Sequence, residues 1–187
     1  MQQTDPPIIT TSPTVRQAVA ADLPALTALM EASVRHLGTQ HYHPHQVESA
    51  LEYIFGIDQQ LITDGTYYVA EIDGEMAGCG GWSRNGKLYG GSQVQWPQVA
   101  QANASERTAK IRAMFVHPNF ARRGVGTRLM QICELGARRA GFLRLELIAT
   151  LTGELFYRKC GFVATDSFDL VMPDGLSLQA VRMAKQL

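Results

Sequence analysis

The stretch that most constrains this chain is Ile111 to Cys133, Ile-Arg-Ala-Met-Phe-Val-His-Pro-Asn-Phe-Ala-Arg-Arg-Gly-Val-Gly-Thr-Arg-Leu-Met-Gln-Ile-Cys. Ile111 to Val116 is rich in large apolar residues and is stopped by His117-Pro118, which predicts a buried strand. Leu129, Ile132, Cys133, Gly136, Ala137 and Ala140 then fall at helical spacing on one face. Between the two lies Ala121 to Gly126, with a pair of arginines and a pair of glycines. A strand running through such a loop into a helix presents unpaired backbone N–H groups at the positive end of the helix dipole. Polyphosphate suits that arrangement, and glycines let the backbone come close because they carry no Cβ.

Two common phosphate loops fit poorly. An NTP-binding loop ends in Gly-Lys-Ser/Thr, whereas Gly126 is followed by Thr127-Arg128. A dinucleotide fingerprint needs a third glycine where this chain has Leu129. The 17 basic and 17 acidic residues cancel, which argues against a general nucleic-acid or membrane surface. Arg122, Arg123 and Arg128 are therefore a local cluster that favours a discrete anionic ligand. No long apolar span or basic-then-apolar leader is present, and three cysteines without paired or metal-ligand spacing fit reduced thiols in a cytoplasm.

Taken in order, residues 1–13 are polar and proline-rich and read as a flexible tail, leaving 14–187 as a single domain. Thr14 to Val19 predicts a strand. Asp22 is an N-cap candidate with Pro24 in the first turn, and Leu23, Leu26, Met30, Val34 and Leu37 give a helical stripe ended by Gly38. Gln46 to Phe55 reads as a second helix. His41, His43 and His45 alternate, but no nearby Cys or carboxylate completes a tetrahedral set, so no metal is expected. Tyr67–Ile72 and Met76–Ser83 flank Asp73-Gly74, a hairpin signal. Gly78, Gly80 and Gly81 inside the second strand mark close approach, either of an acceptor substrate or of packed backbone. Residues 85–107 form a long connection that could carry a lid. After the central stretch come a strand at Leu143–Ala149, a short helix at Gly153–Lys159, and strands at Phe162–Leu170 and Leu176–Met183 around Pro173-Asp174-Gly175. Periodicity supports an α/β or α+β class.

The central stretch resembles motif A of the GNAT superfamily, the acetyl-CoA-dependent N-acetyltransferases. Val116-His117-Pro118 and Ala121-Arg122-Arg123-Gly124-Val125-Gly126 carry the match, with Ala121 where the family more often has Gln or Arg. Phe156-Tyr157 followed by Gly161-Phe162 resembles motif B, although Thr150-Leu151-Thr152-Gly153 replaces the asparagine common there. The resemblance spans roughly Thr14 to Met183. It implies the GNAT fold, a mixed sheet of about six to seven strands with helices on both faces.

It further implies acetyl transfer from acetyl-CoA to a primary amine by direct attack in a ternary complex. Arg122, Arg123, Gly124, Val125, Gly126 and Thr127 would hold the diphosphate, and the backbone of Met114, Phe115 and Val116 the pantetheine arm. Tyr157 would protonate the leaving thiolate. Lys110 and Arg112 occupy a region where relatives often carry a glutamate base, so Glu146 on the neighbouring strand is the base candidate, with Glu71 and His117 behind it. Arg84, Arg112 and Trp82 could face the acceptor, and an arginine there would favour an acidic amine. The acceptor is unidentified and the oligomeric state open, a homodimer included. The alternatives are an acyl-CoA-binding sensor without turnover and a covalent route through Cys79.

Overall fold

The computed structural model describes residues 12–84 and 107–187, so the expected tail, save its last two residues, and the 85–107 connection, save Arg107, lie outside the described residues. Short turns close the hairpins. Asp73 and Gly74 both have positive φ, 53° and 81°, as a two-residue turn between twisted strands requires. They join β2 (Tyr67–Ile72) to β3 (Glu75–Ser83). At the other edge Gly175, φ 85°, lets β6 (Val163–Val171) return as β7 (Ser177–Gln186).

With β1 (Thr14–Gln17), β4 (Thr108–Val116) and β5 (Arg144–Thr150), these strands form one seven-stranded sheet, ordered β1-β2-β3-β4-β5-β7-β6. Every neighbouring pair is antiparallel except β4 with β5. The crossover between that parallel pair is α4 (Val125–Arg139). Helices cover both faces. On one, α1 (Leu23–Gly38) and α2 (Pro44–Tyr53) bury Leu26, Met30, Val34 and Val47 against Val69, Phe115 and Leu178. On the other, α4 and α5 (Leu151–Lys159) bury Met130 and Cys133 against Ile111, Leu145, Leu147 and Met183. The expected mixed sheet with helices on both faces is thus observed.

Local differences from the sequence reading have physical causes. A short helix, α3 (Gln59–Thr63), is too brief to carry an apolar stripe, and its signal was Asp58, whose carboxylate accepts from Gln60 N at 3.1 Å. Asp22 precedes α1 but makes no side-chain cap. It accepts from Val19 N at 2.8 Å and pairs with Arg16 at 2.7 Å, bracing a 3-10 turn instead. Helix α5 starts at Leu151 rather than Gly153 because Thr150 Oγ1 accepts from Gly153 N at 3.3 Å.

The glycines of β3 serve close packing. A Cβ at Gly78 would lie 2.6 Å from Val125 Cγ1, and one at Gly81 would lie 2.5 Å from Thr66 O. Nearly all of β3 is buried, and no residue of β3 lines the cavity described next, so the acceptor-wall reading of this strand is replaced by the packing one.

Candidate active site

The parallel pair at the centre of the sheet is short. Only Thr108↔Arg144, Ala109↔Leu145 and Lys110↔Glu146 are in register, and beyond Lys110 the two strands part. A cavity of about 850 Å³ follows the parted edges. It is lined by Ile111 to Val116 of β4 and by Ile148 and Thr150 of β5. Residues of α1 and α2 line it from one face of the sheet, and the start of α4 and α5 line it from the other.

A bulge bends β4 along this gap. Cys79 opposes Phe115 and Gly81 opposes Arg112, so Ala113 and Met114 together stand opposite Gly80. Ala113 takes φ 48°, a left-handed conformation that costs an alanine on the order of 1 kcal/mol. Something must hold it there, and Tyr67 does. Its hydroxyl, on a fully buried side chain, donates to Ala113 O at 2.8 Å. Burial pushes that phenol well above its ordinary range, which keeps it protonated as a donor. Gly80 supplies the room, since a Cβ there would meet Met114 Sδ at 2.6 Å.

The loop before α4 closes one end of the cavity. Arg122 and Gly124 have φ of 65° and 81°, turning the chain so that α4 begins without a side-chain cap. Arg128 N donates to Gly124 O at 2.9 Å, and the amides of Val125, Gly126 and Thr127 precede that first helical bond. All three residues line the cavity, as does Arg122. Arg123 does not line it; its guanidinium lies 5.3 Å from the Phe120 ring centre. A Cβ at Gly126 would meet the Phe156 ring at 3.2 Å, so the cradle is kept open by that glycine. Free amides, a helix dipole and one cavity-facing arginine fit a diphosphate. Met114, Phe115 and Val116 line the parted edge beside it.

Tyr157 also lines the cavity. Its ring packs edge-on against Phe156 and Phe162, at 5.1 and 5.9 Å between centres, and its hydroxyl has no hydrogen-bond partner among the described residues. Burial holds its phenol above the usual range. Glu146 is placed differently. It is ion-paired with Lys110 and with Arg144 at 3.2 Å, and it is not part of the cavity lining. Among the described residues no carboxylate lines the cavity.

The remaining candidates separate clearly. Arg112 lines the cavity, nearly inaccessible and paired with Asp58 at 3.1 Å. Trp82 instead packs with Phe142 on the α4 face, and Arg84 stacks on Trp82 at 5.6 Å. Glu71 pairs with Arg16 at 2.8 Å, away from the cavity. His117 Nδ1 accepts from Asn119 N at 3.3 Å. Cys79 is fully buried, and burial raises its thiol to about 12, so a reactive thiolate is not available there. His43 Nδ1 accepts from His45 N at the start of α2, at 3.4 Å.

Sequence reasoning missed Tyr42. Its hydroxyl donates to Gln179 O at 2.7 Å and accepts from Leu151 N at 2.6 Å, tying the α1–α2 connection to β7 and to the first residue of α5. Burial raises this phenol to about 12. Thr152 Oγ1 adds a longer bond, 3.4 Å, to Leu37 O. The helix carrying Tyr157 is therefore fixed at its start by groups from the opposite face of the sheet.

Solved structures share this architecture. A GCN5-related N-acetyltransferase from Rhodopseudomonas palustris superposes with a TM-score of 0.70 at 22% identity, covering 97% of this chain and 100% of that one. A PaiA N-acetyltransferase from Thermoplasma acidophilum in complex with coenzyme A gives 0.63 at 14% identity, covering 95% and 100%. YncA from Salmonella typhimurium, a putative acetyltransferase with its cofactor acetyl-CoA, gives 0.61 at 19% identity, covering 95% of each chain. No curated protein matches the sequence. The family model for the acetyltransferase (GNAT) domain matches residues 63–164, from the end of α3 through α4 and α5 to the start of β6. With the parted central strands and the uncapped glycine loop both inside that span, the chain belongs to the GNAT acetyltransferase family.

Proposed function

We propose that this protein is an N-acetyltransferase that moves an acetyl group from acetyl-CoA to a primary amine by direct attack in a ternary complex. The observation that carries the proposal is continuity. Val125, Gly126 and Thr127 at the start of α4, Met114 to Val116 on the parted edge and Tyr157 all border one cavity. In this reading the α4 amides and Arg122 bind the diphosphate, and Arg123 adds charge from the loop's outer side. The β4 edge pairs with the amides of the pantetheine arm. A backbone N–H there also faces the thioester oxygen as charge develops on it, worth on the order of 3 kcal/mol.

Tyr157 protonates the departing thiolate. Its phenol is protonated at neutral pH; burial makes it a weaker acid than a free tyrosine, so it gives up the proton only as negative charge builds on the departing sulfur. The amine must shed a proton too, at a cost of roughly 4–5 kcal/mol for an alkylammonium at pH 7. With Glu146 held by Lys110 and Arg144, that carboxylate can take the proton only through intervening water. A cytoplasmic setting belongs to the same proposal, consistent with three unpaired cysteines.

Thiol release from acetyl-CoA in the presence of an amine panel tests the activity. Tyr157→Phe should lower kcat by about 100-fold while the Kd for acetyl-CoA changes less than about twofold. Equal kcat in the two proteins would remove the assignment. Tight acetyl-CoA binding with no thiol release on any amine would favour the second reading, an acyl-CoA-binding module without turnover, which draws on the lack of a cavity carboxylate among the described residues.

A further inference from the structure

We propose that the acceptor is a monoamine carried on an apolar aliphatic or aromatic body, and that polycationic amines are excluded. The inference rests on the acetyl-transfer reading and specifies its second substrate. On the α1–α2 face of the sheet, opposite the diphosphate loop, the cavity wall carries an apolar patch of Leu37, Ile54, Phe55, Phe115, Ile148 and Leu178, beside the uncharged polar side chains of Ser33, Gln40 and Tyr42 and the imidazole of His36. Phe55 and Phe115 meet edge-on at 6.0 Å, forming an aromatic corner. Such a wall rewards an apolar body by removing its surface from water.

Charge gives the second half of the argument. A diamine or polyamine brings an additional ammonium that must find a counter-charge when it leaves water. Among the described residues the lining offers none. Carboxylates around the lining are committed: Asp58 to Arg112 at 3.1 Å, Glu146 to Lys110 and Arg144, and Glu154 to Arg158 at 2.7 Å. Arg112 also lines the wall, and its pairing with Asp58 keeps that carboxylate from a second ammonium. The sequence of residues 85–106 adds only one carboxylate, Glu106. An acidic amine gains little in turn, because Arg112 already has Asp58 as its counter-ion.

The test compares phenethylamine, spermidine and glutamate as acceptors for the full-length protein, reading thiol release from acetyl-CoA. Phenethylamine should exceed both others in kcat/KM by at least about 10-fold. Phe55→Glu, at a half-buried position, places a carboxylate on the wall and should move the spermidine-to-phenethylamine ratio upward by about 10-fold. Spermidine or glutamate matching phenethylamine in the wild type overturns the inference and leaves acetyl transfer standing. Octanoyl-CoA outpacing acetyl-CoA on every amine would assign the apolar wall to the acyl chain and also overturn it. Thiol release with none of the amines overturns the acetyl-transfer reading, and this inference with it.

Discussion

The two ends of the cavity are built on different principles. The end proposed for the donor is main chain: uncapped amides at the start of α4, a bulged strand edge, and a glycine that keeps the floor clear. The end proposed for the acceptor is side chain: mainly apolar residues from α1, α2, β4, β5 and β7 that meet only in the folded sheet. Main-chain recognition depends on a few glycines and one turn, so it tolerates almost any neighbouring side chain. Side-chain recognition can be altered by single substitutions. The difference explains how one scaffold could keep its donor while its acceptor varies.

That contrast can be broken. The largest effect is expected at Gly126, where even a Cβ meets Phe156 at 3.2 Å. Gly126→Leu should weaken acetyl-CoA binding by about 100-fold, measured by titration calorimetry, while circular dichroism shows a folded protein. Retained affinity would mean the cradle lies elsewhere. Next is Tyr67→Phe, which frees the Ala113 carbonyl and leaves the bulge unpinned. It should cost about 1–2 kcal/mol of stability by urea titration and about 10-fold in kcat. Ala113→Gly in the same background, removing the strain of φ 48°, should restore part of the stability. A loss of stability with unchanged kcat would show that the bulge does not position the thioester. The smallest effect is at the acceptor end. Phe55→Ala should raise KM for an apolar amine about threefold to fivefold and leave the acetyl-CoA Kd unchanged, which would sharpen the division between the two ends. A matching change in acetyl-CoA Kd would dissolve it.

The same division governs what could be read from the chain alone. The strand, glycine loop and helix were legible because they are contiguous: strand, Pro118, Gly124, Gly126 and an amphipathic helix follow one another within one stretch. The hairpin at Asp73-Gly74 was legible for the same reason. By contrast, the Tyr67–Ala113 bond joins positions 46 apart, and Tyr42 reaches Leu151 and Gln179 across 109 and 137 positions. Periodicity carries no signal for such pairs. Glu146 shows the limit most plainly. Its place on β5 was anticipated, but its capture by Lys110 follows from the β4–β5 register, which only the assembled sheet defines. Trp82 and Arg84 were close in sequence to the acceptor face and nonetheless belong to the other one, because a strand sends alternate side chains to opposite sides.

The brief pairing of β4 with β5 has a consequence for the protein at rest. Among the described residues only three register partners form the strand ladder between the β1–β4 half of the sheet and the β5–β7–β6 half, which otherwise meet through side chains and the Arg107 carbonyl. An extended ligand lodged between the halves would act as mortar in that seam, taking the place of the strand partner that β4 lacks beyond Lys110. Saturating coenzyme A should therefore slow hydrogen–deuterium exchange of Met114 to Val116 far more than that of β2 and β3. It should also raise the unfolding temperature with ligand concentration, as binding to the native state alone demands.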